Sequence, residues 1–97
     1  MHATIFPIDL GDRTSSRERG RTGRALASAL ACLPGFVACI GLEDGDGAVA
    51  VLCICVNAVS LEQARQVAED WQRNNDASAR PPLQPLMTGE VIMQRGF

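Results

Sequence analysis

A chain of 97 residues, 46% apolar and 21% charged, has the composition of an ordinary globular protein and predicts a single domain over residues 1–97. The balance of apolar and charged residues excludes global disorder, and the formal net charge of -2 excludes a general nucleic-acid binder, whose affinity rests on basic groups meeting phosphates.

The opening residues, MHATIFPIDL, lack the basic start and apolar segment of a signal peptide, and no run approaches the ~20 apolar residues of a membrane span. The expectation is a soluble cytoplasmic protein with no membrane partner. Residues 3–10 predict a strand in which Thr4, Phe6 and Ile8 alternate against Ala3 and Ile5. Pro7 offers no ladder donor, which places that strand at a sheet edge or at a bulge. Residues 11–23 are polar and Arg-rich, and Gly20 and Gly23 would each destabilise a helix interior by about 1 kcal/mol relative to Ala. A helix is therefore expected only from Arg24, with Leu26, Leu30 and Leu33 as its apolar stripe beside Ala27 and Ala31, and Pro34-Gly35 as its stop.

Residues 36–56, FVACIGLEDGDGAVAVLCICV, are two apolar runs joined by acidic and glycine residues, the pattern of a β-hairpin. Phe36, Ala38, Ile40 and Leu42 are expected to share a face with Ala50, Leu52, Ile54 and Val56, leaving Val37, Cys39, Val49, Val51, Cys53 and Cys55 on the other. Both faces are apolar, so both need covering. Residues 57–59 make a short connection, and Ser60-Leu61-Glu62-Gln63 reads as a capping box that starts a second helix. Its buried stripe is Leu61, Ala64, Val67, Ala68 and Trp71, and Asn74 and Asn75 suit its end. Pro81, Pro82 and Pro85 make residues 76–88 a stiff extended connection, after which residues 91–95 form a last strand.

This order predicts an α+β fold of the ferredoxin-like β-α-β-β-α-β plan with an antiparallel sheet. Two helices cover one face. The other face, whether it holds Val51 and Cys53 or their counterparts, calls for a second copy of the sheet, hence a homodimer.

Several stretches also carry a family resemblance: Leu33-Pro34-Gly35-Phe36-Val37 at the helix-to-strand junction, the Gly-Asp-Gly hairpin, the strand over 51–56, the Ser60-Leu61-Glu62-Gln63-Ala64 helix start, and Gly89-Glu90-Val91-Ile92. Over nearly its whole length the chain resembles the dimeric α/β-barrel proteins, and within them the antibiotic-biosynthesis-monooxygenase-like domains. The resemblance implies a sheet-to-sheet dimer and a pocket between sheet and helices. Some members oxidise aromatic polyketides without metal or flavin, others degrade haem, and many have no established activity. Members often carry an aromatic residue at the end of the third strand and a His on the next helix, where this chain has Asn57 and Val67. There is no Tyr, and the single His, His2, lies at a terminus expected to be mobile, so a haem-degrading reading lacks a proximal ligand.

Asn57 and Trp71 are then the candidate ligand-binding residues, and no catalytic residue is assigned. Trp71 would direct its indole N–H at a ligand carbonyl, or serve as a core residue on the helix stripe; Asn57 would hydrogen-bond a substrate, or cap the following helix. Cys39, Cys53 and Cys55 share a face and three thiols can hold a soft metal, but without a CxxC pair or a nearby His they read as reduced packing residues, as does Cys32. No metal or cofactor is expected. Arg13, Arg17, Arg19, Arg21 and Arg24 give residues 12–24 a local charge of +3 against Asp12 and Glu18, which would suit an anionic ligand or simply keep a surface wet. Asp44 and Asp46 lack the full spacing of a calcium loop and fit turn chemistry. The functional expectation is a homodimeric barrel that binds an apolar or aromatic small molecule, with cofactor-independent oxygenation as its chemistry if it is an enzyme. The alternative is a non-catalytic binding or assembly domain of the same fold, which the missing His and Tyr favour.

Overall fold

The structure, a computed structural model, describes residues 1–8, 16–45, 49–75, 85–93 and 95, and side chains within these except at 16–19, 22, 74 and 75. In chain order the elements are β1 (His2–Ile8), α1 (Ser16–Ala31), β2 (Phe36–Glu43), β3 (Val49–Cys55), α2 (Ala58–Asn75) and β4 (Met87–Glu90). The four strands form one antiparallel sheet in the order β2-β3-β1-β4, compatible with the ferredoxin-like plan. None of the described helices is long and apolar enough to cross a membrane.

Alternation along the strands decides what each face carries. The register pairs Thr4 with Cys53, Phe6 with Val51, and Cys39 with Cys53, which puts Thr4, Phe6, Ile8, Val51, Cys53 and Cys55 on one face. All six are buried. Leu26 and Leu30 from α1 and Leu61, Ala64 and Ala68 from α2 pack onto that face and complete the core, with Leu33, Val67 and Trp71 partly buried around them. Burying a side chain such as Phe6 or Leu30 contributes roughly 1.5 to 3 kcal/mol, so this layer holds the helices to the sheet.

The other face carries Ala3, Ile5 and Pro7 from β1, Ala50, Leu52 and Ile54 from β3, Ala38, Ile40 and Leu42 from β2, and Met87 and Gly89 from β4. Among the described strand residues it has no charged or hydrogen-bonding side chain. Nothing in the chain's described residues covers its outer part, where Ile40 is 42% exposed, Leu42 64% and Met87 71%. Val51 therefore faces the helices and Leu52 the open side. Phe36 departs from the expected pattern: a register shift between Phe36 and Ala38 pairs it with Cys55, on the core side, and leaves Val37 exposed.

Three elements lie elsewhere than their sequence suggests. The helix α1 begins at Ser16, a full two turns before Arg24, so Gly20 and Gly23 lie inside it. Packing of Leu26 and Leu30 against the sheet outweighs the local glycine penalty. The last strand is Met87–Glu90 instead of residues 91–95. β1 supplies partners only as far as its own start, with His2 opposite Glu90 and Val91 N–H donating to the Met1 carbonyl, so Ile92 and Met93 run past the sheet, 96% and 86% exposed. The strand bearing Pro7 is interior, not an edge. Ile5 turns its carbonyl towards Leu86 on the β4 side, and two residues on the missing Pro7 donor faces that same side, beyond the reach of β4. Asp9, Leu10, the hairpin residues 46–48 and the connection over 76–84 lie outside the described residues.

The junction between α1 and β2 is a tight turn. The Phe36 N–H donates to the Leu33 carbonyl at 3.3 Å, Pro34 takes the first corner, and Gly35 takes the second with φ of +83°, the arrangement of a type II turn. A side chain at Gly35 would also meet Ser60 Oγ at 2.3 Å and Val56 Cγ2 at 2.9 Å. We expect Gly35→Ala to destabilise the fold by about 2 to 4 kcal/mol, adding left-handed strain to overpacking, as read by urea unfolding. Gly45→Ala, which meets nothing within 4 Å, serves as the control and should change little.

Candidate functional site

A cavity of about 310 Å³ opens between α1 and the β2–β3 end of the sheet. Its floor is Ile8, Cys39, Val49 and Val51, and its helical wall is Gly20, Gly23, Leu26 and Ala27. The cavity exists because side chains are missing where two walls would otherwise interdigitate. Gly20, Gly23 and Ala27 recur on one face of α1, and Gly41 stands on β2 directly opposite Val51. A Cβ built at Gly23 or at Gly41 would meet no atom within 4 Å. Glycine inside a helix or strand is destabilising by roughly 0.5 to 1 kcal/mol, so these positions keep space open at the expense of stability.

Two of the described lining residues, Arg24 and Glu43, are charged, and both are exposed. Arg24, exposed on α1, folds back so that its Nη1 lies 3.6 Å from where a Cβ of Gly20 would be. Glu43, opposite Val49 in the ladder, is on the helix side of β2. The only thiol in the lining is Cys39, and burial pushes its pKa up. The neighbouring Cys53 is pushed from 9.0 to about 12, by burial first and then by Cys55 and Cys39. Burial also raises Cys55, offset in part by its hydrogen bond with Cys53. These thiols stay protonated at neutral pH and are poor nucleophiles. Among the described residues no group of three or more His, Cys, Asp or Glu is placed to hold a metal ion.

The structure puts both residues singled out from the sequence outside this cavity. Asn57 is exposed and caps α2: its Oδ1 accepts from the Ser60 N–H at 2.8 Å and its carbonyl from Leu61 N–H at 3.1 Å. The cap is thus Asn57 and not Ser60, which is buried under Gly35. Trp71 is half-buried on α2 against the core. His2 is held in β1, half-buried between Cys55 and Glu90 at the opposite end of the sheet from Ile8 and Val49. Of the arginine run, Arg24 alone lines the cavity among the described residues; Arg21 is exposed, and Arg13 lies outside the description. Gly20, Gly23, Gly41 and Glu43 went unnoticed as site residues. The signal present was the Gly20-Gly23-Ala27 spacing, legible only once the segment is known to be helical.

Searched against known families, the chain matches no family model, and no curated protein matches it significantly.

The thiols generate a pH prediction. Unfolded, Cys53 ionises near 9.0; folded, it holds its proton to about 12. Between those values the unfolded state binds fewer protons than the folded one, so stability falls as pH rises from about 9 towards 12. The chain has no Tyr and no Lys to titrate in that window. We expect the urea midpoint to drop across it and to drop less steeply in Cys53→Ala; a midpoint flat over this range would contradict the assigned burial.

Proposed function

We propose that this chain is a homodimeric binding protein for an apolar small molecule held between α1 and the sheet. The cavity kept open by Gly20, Gly23 and Gly41 carries this reading, because close packing is the default of a protein interior and the described residues forgo it here. The lining is apolar except for its rim, as small-molecule sites generally are. Cofactor-independent oxygenation is the catalytic form of the same proposal, in which the walls orient an electron-rich substrate and exclude water. The protonated Cys39 gives no nucleophile or redox centre, so binding is the part the lining supports directly.

The dimer rests on the open sheet face. Ile40, Leu42 and Met87 are exposed on it with no charge between them among the described strand residues, and a contiguous apolar face on an antiparallel sheet is a site for association. A second copy supplies a matching face, and a two-fold axis lets the same residues serve both subunits.

Two measurements test the reading. Gly41→Leu should fill the cavity and weaken binding of a naphthalene-class probe at least tenfold in calorimetry while leaving the urea midpoint near the parent value; undiminished binding would place the ligand elsewhere. In sedimentation at micromolar concentration the parent should run at twice the 10.4 kDa chain mass and Leu52→Asp as a folded monomer, whereas Val51→Asp should unfold the protomer. A parent chain that sediments at 10.4 kDa would overturn the dimer.

A further inference from the structure

At one edge of the sheet, β2 is hydrogen-bonded to β3 alone among the described residues; past the other, the chain leaves β4 with Ile92 and Met93 almost wholly exposed. We propose that the segment beginning at Val91 adds a strand to the free β2 edge of a second copy, whose own segment does the same in return. The proposal rests on the homodimer reading and adds to it an exchange of arms.

Direction excludes the chain's own β2 as the acceptor. β4 runs antiparallel to β1 and ends beside His2, and the Val91 N–H makes the last bond to that strand, donating to the Met1 carbonyl at 2.8 Å. From there the chain runs off the end of the sheet. Its own β2 edge lies three strand spacings away, roughly 14 Å, and starts at that same end, with Phe36 opposite Cys55 and Cys55 opposite His2. The segment would have to cross beneath the sheet and reverse to pair there.

Edge and arm match in chemistry. Strand edges left in water are normally blunted by Lys, by Pro, by a bulge or by shortness. Beyond the register shift at Phe36 and Ala38, β2 runs on with no Lys or Pro and no charge before Glu43, apolar on both sides: Cys39 towards the helices, Ala38, Ile40 and Leu42 towards the open face. A strand added there must be apolar on both sides too. Consecutive strand residues point to opposite faces, and Val91, Ile92 and Met93 are apolar without a break. Side-chain pattern predicts a strand over 91–95, and the protomer gives it no neighbour beyond Val91. β4 is the poorer acceptor, with four residues against eight in β2. Because one chain carries both arm and edge, a two-fold axis completes both exchanges at once.

Amide exchange and sedimentation on the parent, on the chain ended at Glu90 and on full-length Ile92→Asp/Met93→Asp test this. In a lone protomer every second β2 amide points away from β3; in the parent dimer those over residues 38–43 should exchange about a hundredfold more slowly than in either variant. Both variants should dimerise at least about tenfold more weakly, with β1 and β3 exchange unchanged. In a dimer mixed from methyl-labelled and unlabelled chains, the Met93 methyl should show nuclear Overhauser contacts to β2 protons of the unlabelled chain. If those contacts stay within the labelled chain, or the shortened chain matches the parent in dimer strength and β2 exchange, arm exchange is overturned and the face-to-face dimer stands. A parent that sediments at 10.4 kDa overturns both.

Discussion

Everything else in this protein is arranged around the pairing of β1 with β3. That ladder aligns Phe6 with Val51 and Thr4 with Cys53, and because strand side chains alternate, a slip of one residue would turn every buried side chain outwards. Its two neighbours are set from it. β2 joins β3 through the hairpin, and β4 joins β1 over only His2 to Ile5, where the Thr4 hydroxyl meets Thr88 Oγ1 at 2.7 Å. Both helices then pack on the face that this register has made large and apolar.

The same register makes the opposite face apolar, which is unusual for an antiparallel sheet whose second side meets water. The charges of the described residues lie off that face, with Arg21 and Arg24 on α1, Glu43 on the helix side of β2 and a network on α2. Arg65 bridges Glu62 and Glu69, and Arg73 bridges Glu69 and Asp70, with Arg65 and Glu69 half-buried and Glu62 and Arg73 reaching into solvent. The outer pairs, Arg65 with Glu62 and Arg73 with Asp70, contribute little to stability. They mark which surface is built for water, and the bare sheet face is the contrast.

Between the sheet and α1 the packing is relaxed on purpose or by tolerance, and the position of the gap argues for purpose. Gly20, Gly23 and Gly41 come from two different elements and meet at one cavity, while Leu30, further along α1, is fully buried in the core.

Periodicity in the sequence sufficed for the strand–helix order, the antiparallel hairpin, the buried stripes of both helices and the presence of two apolar sheet faces, because these follow from side-chain spacing of 2 and 3.6 residues. The sequence also pointed to Pro34-Gly35 as a turn, since only glycine accepts its φ of +83° without strain. Tertiary structure decided the rest. Where α1 begins depends on whether packing of Leu26 and Leu30 repays two glycines; where β4 lies depends on how far β1 extends; and which face of the hairpin receives the helices depends on which is paired with Phe6. The candidate site was hidden for the same reason. It is made of absent side chains on elements far apart in the chain, and an absence has no sequence pattern until folding sets Gly23 and Gly41 on facing walls.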